Sequence, residues 1–395
     1  MAEFPSQDTV LPLRLSQLAT RAKPSGIRAA QAGRADTVSF SKGHPDPALF
    51  PAGRLREELG RLLSDPDSAA DSLQYSAGAG TDDLRAAVSG LMRERGVACG
   101  PENVLITNGS QQGLFLATSA FADPGETVLA SLPAYTGALQ VFEALGLALA
   151  DPDAGPQQPA LIYEIPNFHN PTGASLPLAD RMRRVEAAHR QGAILIEDDP
   201  YGLLRYDGAP LPGLLEIDAG RHTIETARTL HLGSLSKTVA PGLRIGWVVG
   251  PSEIIARLAV LKYIQDIQSG TLVQQLAARV LSEGFASSVA KACDVYRDRR
   301  DALDAALSAH FGARGRWSKP EGGFFFWVEL AGGLKAAQLL PLAAGKGVNF
   351  VPGNAFGPAD RFGSYMRLGF STGPTGDFER GVRRLAEAFD ELSGA

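Results

Sequence analysis

From residue 103 onward, short runs of consecutive apolar residues alternate with stretches in which apolar positions recur every three or four residues. NVLIT, TVLAS, ALIYEI, AILIEDD and RIGWVVG are too short for buried helices and too uniformly apolar for strands with one wet face. They predict strands covered on both sides. Stretches such as LFLATSAF between them carry the helical period. This alternation predicts an α/β fold with a mostly parallel sheet between layers of helices. Ligands of such sheets collect beyond the carboxyl ends of the strands.

The last third changes period. Residues 252–268, 270–283 and 286–310 read as long helices, followed by three strand-like runs, GGFFFWVEL, VNFVPG and YMRLGFS, with a helix between two of them. That pattern predicts a second, smaller α+β domain. At the other end, residues 1–12 read as a loose arm, and helical spacing from Leu13 to about Gln31 is interrupted at Pro24 and Gly26, with a helix restarting near Ser25. SFSKGHPDPALFP, residues 39–51, is too rich in Pro and Gly for regular structure and predicts a crossing between domains. Leu55 to Leu63 reads as a short amphipathic helix, Thr81 as the cap of the helix after LQYSAGAG, and residues 151–159 as a Pro-rich surface loop. The expected boundaries are 1–45 for an N-terminal arm and helix packing with the small domain, 46–285 for the large domain and 286–395 for the small one.

Composition narrows the function. A chain of 395 residues exceeds what one core usually supports, and 44% hydrophobic with 21% charged residues is ordinary for a soluble protein. The net charge is -5, with no long basic run, so neither nucleic acid nor an anionic membrane is expected as a partner. Cys99 and Cys293 make no disulfide framework, no Cys/His spacing suggests zinc, and a reducing cytoplasm is expected. MAEFPSQDTVLPLRL lacks a basic region followed by a long apolar one, so neither a signal peptide nor a membrane anchor is expected.

The chemistry centres on GSLSKTVAPGLRIGW, residues 233–247. A lysine in a desolvated pocket favours the neutral amine, which condenses with carbonyls as a Schiff base. Ser234, Ser236 and Arg244 around Lys237 are a phosphate-holding set. A nucleotide P-loop is excluded, because Ser236 and His231 stand where that motif needs glycines. Ser110 and Gln111 follow the strand NVLIT at a helix start, a ready anion site. Asn170 follows ALIYEI and Asp198 ends AILIE, so four strand ends bring together an anion hole, an amide, a carboxylate and an amine. Arg367 lies inside the apolar strand YMRLGF, where a lone charge needs an anionic partner. Arg28 in the first turn of a helix likewise calls for an anion.

Taken together, PSGIR, GSQQGL, PNFHNPTG, EDDPYG, SLSK with an arginine seven residues on, EGGFFFW and YMRLGFS resemble a fold type I, class I/II pyridoxal-phosphate aminotransferase of the 2-aminoadipate and kynurenine aminotransferase group. The resemblance spans nearly the whole chain. It implies a seven-stranded-type sheet in a large cofactor-binding domain, with Lys237 as Schiff-base lysine and proton shuttle and Asp198 as partner of the pyridine nitrogen. Asn170 and Tyr201 would bond the ring's phenolic oxygen, and Tyr135 would stack on its face. Ser110, Gln111, Ser234, Ser236 and Arg244 would hold the phosphate, joined by Tyr75 from the other subunit of a homodimer. Arg367, with Asn170 and Gly43, would hold the substrate carboxylate, and Arg28 would face its side chain. The implied reaction moves an amino group from an L-amino acid to a 2-oxo acid, with 2-aminoadipate, glutamate-like or polar substrates. His44 and the bulky EGGFFFW depart from the group. The same cofactor site also serves elimination, cyclisation or oxidation, and a regulator binding the cofactor would carry an added basic DNA-binding domain.

Overall fold

The computed structural model describes residues 14–23, 36–153 and 158–394. Its centre is a seven-stranded sheet of β1 (Val104–Thr107), β2 (Thr127–Ala130), β3 (Ala148–Ala150), β4 (Leu161–Glu164), β5 (Ile194–Asp198), β6 (Thr229–Ser234) and β7 (Gly246–Val249), in the order β1-β7-β6-β5-β4-β2-β3. Only β7 runs against its neighbours, β1 and β6, while the other pairings are parallel. Every residue of β1, β4, β5, β6 and β7 is buried, as their unbroken apolar runs require.

Alternation along each strand feeds two cores. Leu105 and Val248 pack with Leu114, Val141 and Leu258 on one face, from helices Ser110–Phe121, Thr136–Leu145 and Ser252–Asp266. Val104, Ile106 and Trp247 pack on the other with Leu84, Val88 and Ala277, from helices Asp82–Glu94 and Thr271–Ser282. Helices Ser252–Asp266, Thr271–Ser282 and Phe285–His310 match the predicted ranges 252–268, 270–283 and 286–310 to within a few residues.

A four-stranded antiparallel sheet follows, built from β8 (Gly315–Arg316), β9 (Phe325–Leu330), β10 (Val351–Pro352) and β11 (Tyr365–Gly369), in the order β10-β11-β9-β8. Phe324, Phe325 and Phe326 are all fully buried. They share one core with helices Phe285–His310 and Thr375–Ser393 and with Val38 and Phe40.

Three expectations are corrected. VNFVPG is two elements: Val348–Asn349 pairs in parallel with Val38–Ser39, whereas Val351–Pro352 joins the four-stranded sheet. The chain therefore changes sheets at Phe350, and Ser39 belongs to a strand rather than to the crossing loop. The edge strand β3 is apolar in sequence, yet two of its three residues are exposed. Thr81 occupies the N-cap position, but its hydroxyl caps nothing; its N–H donates to Gln274 Oε1 at 2.8 Å.

Candidate active site

At the carboxyl ends of β4, β5 and β6 lies a cavity of about 330 Å³. It is lined by the expected Ser110, Gln111, Tyr135, Asn170, Asp198, Tyr201, Ser234, Ser236, Lys237, Arg244, Gly43 and Arg367. Ser110, Asn170, Asp198 and Lys237 meet there because strands of the large sheet deliver their ends to one edge, while Gly43 comes from the N-terminal loop and Arg367 from the small antiparallel sheet. Tyr75 is not among the lining residues of this chain, and its side chain is largely exposed. Arg28 and the restarted helix near Ser25 lie outside the described residues.

Lys237 follows β6, and its Nζ donates to the Gly43 carbonyl at 2.8 Å. Burial pushes the amine down to about 8, the Arg367 charge adds to that, and Asp198 opposes it. A useful neutral fraction thus exists near neutral pH. Asp198 ends β5. Burial pushes its carboxyl up to about 6 against a 2.7 Å hydrogen bond from the Tyr163 hydroxyl to Oδ2. Its other oxygen, Oδ1, is buried without a partner among the described residues.

Arg367 comes from β11 and is 3% exposed. It donates to Asn170 Oδ1 at 2.8 Å and to the Ser41 carbonyl at 2.9 Å, and its guanidinium lies 4.2 Å from the Phe325 ring centroid. These partners are neutral, so burial holds the group down at about 10. An arginine stacked on an aromatic ring beside a cavity, with no carboxylate against it among the described residues, is built to receive one.

Helix Ser110–Phe121 starts at the cavity behind Gly109, whose φ of 81° puts it in the left-handed region. A Cβ at Gly109 would fall 2.5 Å from Arg244 Nη2, so the glycine lets this guanidinium approach the helix start. Arg244 also donates to the Asn108 carbonyl at 2.9 Å. Ser234 and Ser236 are joined at 2.8 Å between their hydroxyls. Free helix N–H groups, two hydroxyls and a guanidinium make an anion cradle.

Tyr201 packs edge-on against Phe324 and Phe325, and burial raises its hydroxyl far above the ordinary tyrosine range. Tyr163, Phe325 and the Ser41 carbonyl were not singled out from the sequence. Tyr163 left a signal: parallel pairing sets it beside Ile196, on the face that Asp198 shares two residues on, and a buried hydroxyl needs a partner.

These groups fit pyridoxal phosphate. An N–H donor is what Asp198 Oδ1 lacks, a protonated pyridine nitrogen supplies one, and cradle and amine suit the phosphate and the aldehyde.

Known proteins agree with this reading. The family described as aminotransferase class I and II matches residues 66–385. The aromatic-amino-acid aminotransferase 1 of Thermococcus litoralis is 33% identical over 377 residues, 90% of this chain and 88% of the relative. The 2-aminoadipate transaminase of Thermus thermophilus is 35% identical over 375 residues, 91% of each chain. Among solved structures, the α-aminoadipate aminotransferase of Thermus thermophilus, in complex with N-(5'-phosphopyridoxyl)-L-leucine, superposes with a TM-score of 0.88 at 33% identity, covering 96% of this chain and 98% of that one. The chain belongs to the class I and II aminotransferases and is a pyridoxal-phosphate-dependent enzyme of fold type I.

Proposed function

We propose that this enzyme transfers the amino group of an L-amino acid with an acidic or polar side chain, 2-aminoadipate or glutamate-like, to a 2-oxo acid. The observation that carries the reading is the cavity that Lys237 and Arg367 line together, an amine held down at about 8 and a guanidinium without a carboxylate. Pyridoxal phosphate supplies an aldehyde that condenses with primary amines and a ring that absorbs the electron pair left at the substrate α-carbon.

This chain's residues supply the rest. Lys237 would take the proton from the substrate α-carbon and hold it at Nζ for return, a positioned transfer worth on the order of 10²- to 10⁴-fold in rate. Arg367 binds the α-carboxylate and, with Asn170, fixes which bond at the α-carbon faces the amine. Asp198 keeps the pyridine nitrogen protonated, and the hydrogen bond from Tyr163 holds its carboxylate in orientation. Tyr201 and Asn170 bond the ring oxygen, and Tyr135 covers the ring face. Ser110, Gln111, Ser234, Ser236 and Arg244 anchor the phosphate.

The active unit is a homodimer, and Tyr75 reaches the phosphate site of its partner. Support comes from an apolar surface beside the large sheet, where Tyr75, Tyr263 and Ile264 are 73%, 59% and 76% exposed. The backbone near Tyr75 packs against the start of the next helix, with Thr271 Oγ1 donating to the Gln74 carbonyl at 2.8 Å. The enzyme works in the cytoplasm: Cys99 and Cys293 are buried free thiols, and among the described residues no helix is long and apolar enough to cross a membrane.

The test mixes the cofactor-loaded enzyme with single amino acids and no oxo acid, following the cofactor's absorbance and the 2-oxo acid released. Stoichiometric conversion to the amine form of the cofactor, fastest with 2-aminoadipate or glutamate, is expected. Ammonia release or oxygen uptake would show a different reaction of the same cofactor.

A further inference from the structure

Three acids, Glu197, Asp198 and Asp199, stand in a row at the end of β5, and the proposed function uses only the middle one. Side chains alternate across a strand, so Asp198 meets the cavity while Glu197 and Asp199 turn to the other face. Both are buried, at 1% and 6% exposure. Negative charge so close behind Asp198 drives a proton onto it unless the far face is compensated.

Compensation comes from several elements. Arg95, at the end of helix Asp82–Glu94, bonds Asp199 Oδ2 at 2.6 Å, and Asn167 donates to Oδ1 at 3.0 Å. Fully buried Arg181 in turn holds the Asn167 oxygen at 2.7 Å. Glu197 accepts the N–H groups of Leu214 and Leu215 at 2.8 and 3.1 Å, at the start of helix Leu214–Arg221.

The remaining partner of Glu197 is His231. Parallel pairing of β5 and β6 puts the two side by side, and Nδ1 lies 3.1 Å from Glu197 Oε2. A carboxylate only accepts, so Nδ1 carries the proton. Nε2 is buried without a partner among the described residues, and the residue is 1% exposed. This imidazole touches neither the cavity nor solvent, and what it offers is a donor directed at Glu197. Burial raises the proton affinity of Glu197, yet the bond from His231 and its charge hold the carboxyl below its usual range.

We propose that His231 is a positioning residue for Asp198: by holding Glu197, it keeps the negative charge on the far face of the sheet from neutralising the carboxylate that faces the cavity. This inference rests on the proposed role of Asp198 toward the ring nitrogen. Tyr163, Asp199 and Lys237 also act on Asp198 and stay in place in every variant below, and His231 lies close enough to act on it directly as well as through Glu197.

The test is the dissociation constant of pyridoxal phosphate for the cofactor-free protein as a function of pH, with thermal unfolding of each variant as the check on folding. In the natural protein, tight binding weakens as pH falls through about 6, where Asp198 takes up its proton. His231→Phe should move that break upward, and a shift of one pKa unit weakens binding by about tenfold at pH values well below the break. His231→Asn, which keeps a donor toward Glu197, should stay near the natural value, and Glu197→Gln should move the break downward. A merely structural role predicts no such opposition of sign. If His231→Phe does not fold, the downward shift in Glu197→Gln still decides. Breaks at the same pH in all folded variants overturn the inference. If Asp198→Asn also leaves affinity and its pH dependence unchanged, the role of Asp198 itself has failed.

Discussion

The Lys237 amine donates a 2.8 Å hydrogen bond to the Gly43 carbonyl, across 194 residues of sequence. The loop that crosses from the N-terminal segment therefore forms part of the cavity wall. It also brings Gly43 hard against Phe325, whose ring carries the Arg367 guanidinium.

That close approach predicts the behaviour of Gly43→Ala. A Cβ there would stand 2.8 Å from Phe325 Cζ and 3.0 Å from Cε1, so the ring that carries the Arg367 guanidinium must shift. Overpacking of this kind costs about 1–3 kcal/mol, which at the substrate site is roughly a tenfold or greater rise in KM. Cofactor affinity should hardly change, and adding Phe325→Leu should recover much of the loss. Steady-state kinetics on the two variants check this, and a natural KM in Gly43→Ala contradicts it.

Asp198→Asn should stabilise the cofactor-free protein while destroying its function. Burial holds this carboxyl at about 6, well above an exposed aspartate. The folded protein thus binds the proton more tightly than the unfolded chain, and the unfavourable charge weighs on folding above that range. The contribution to stability is greatest below about pH 4 and declines as pH rises through about 6. At neutral pH the burden is roughly 3 kcal/mol, an order-of-magnitude figure from about two pKa units. Calorimetry should find cofactor-free Asp198→Asn melting above the natural protein at neutral pH, with the difference shrinking toward pH 4. An unchanged or lower melting temperature counts against a strained carboxylate.

Much of this was legible in the sequence because most of the proposed site residues follow strands that are buried on both faces. Lys237, Asp198, Asn170 and Ser110 follow apolar runs that nothing but a parallel sheet explains, and Arg367 announces itself as a charge inside one. What stayed hidden depends on side-chain direction and pairing. Tyr163 looks like one more apolar strand residue until pairing with β5 sets it beside Asp198. His231 looks like a strand residue until Glu197 lies next to it. VNFVPG reads as one strand because hydropathy does not reveal that its two ends pair with different partners.

The exposed surface at Tyr75, Tyr263 and Ile264 predicts association. Apolar side chains gathered on one face usually mark a contact between copies, and twofold contacts are the commonest. Ile264→Lys should shift the protein from dimer to monomer in sedimentation velocity and weaken cofactor retention, through loss of the partner's Tyr75. A natural protein that sediments as a monomer with the cofactor bound refutes both the dimer and the shared site.

The account turns on one amine. Borohydride reduction of the cofactor-loaded enzyme, followed by peptide mass mapping, fixes the cofactor to whichever side chain holds it. The result predicted is a single phosphopyridoxyl label on Lys237 and loss of the near-visible chromophore in Lys237→Ala. A label on any other residue, or a chromophore that survives the substitution, contradicts it.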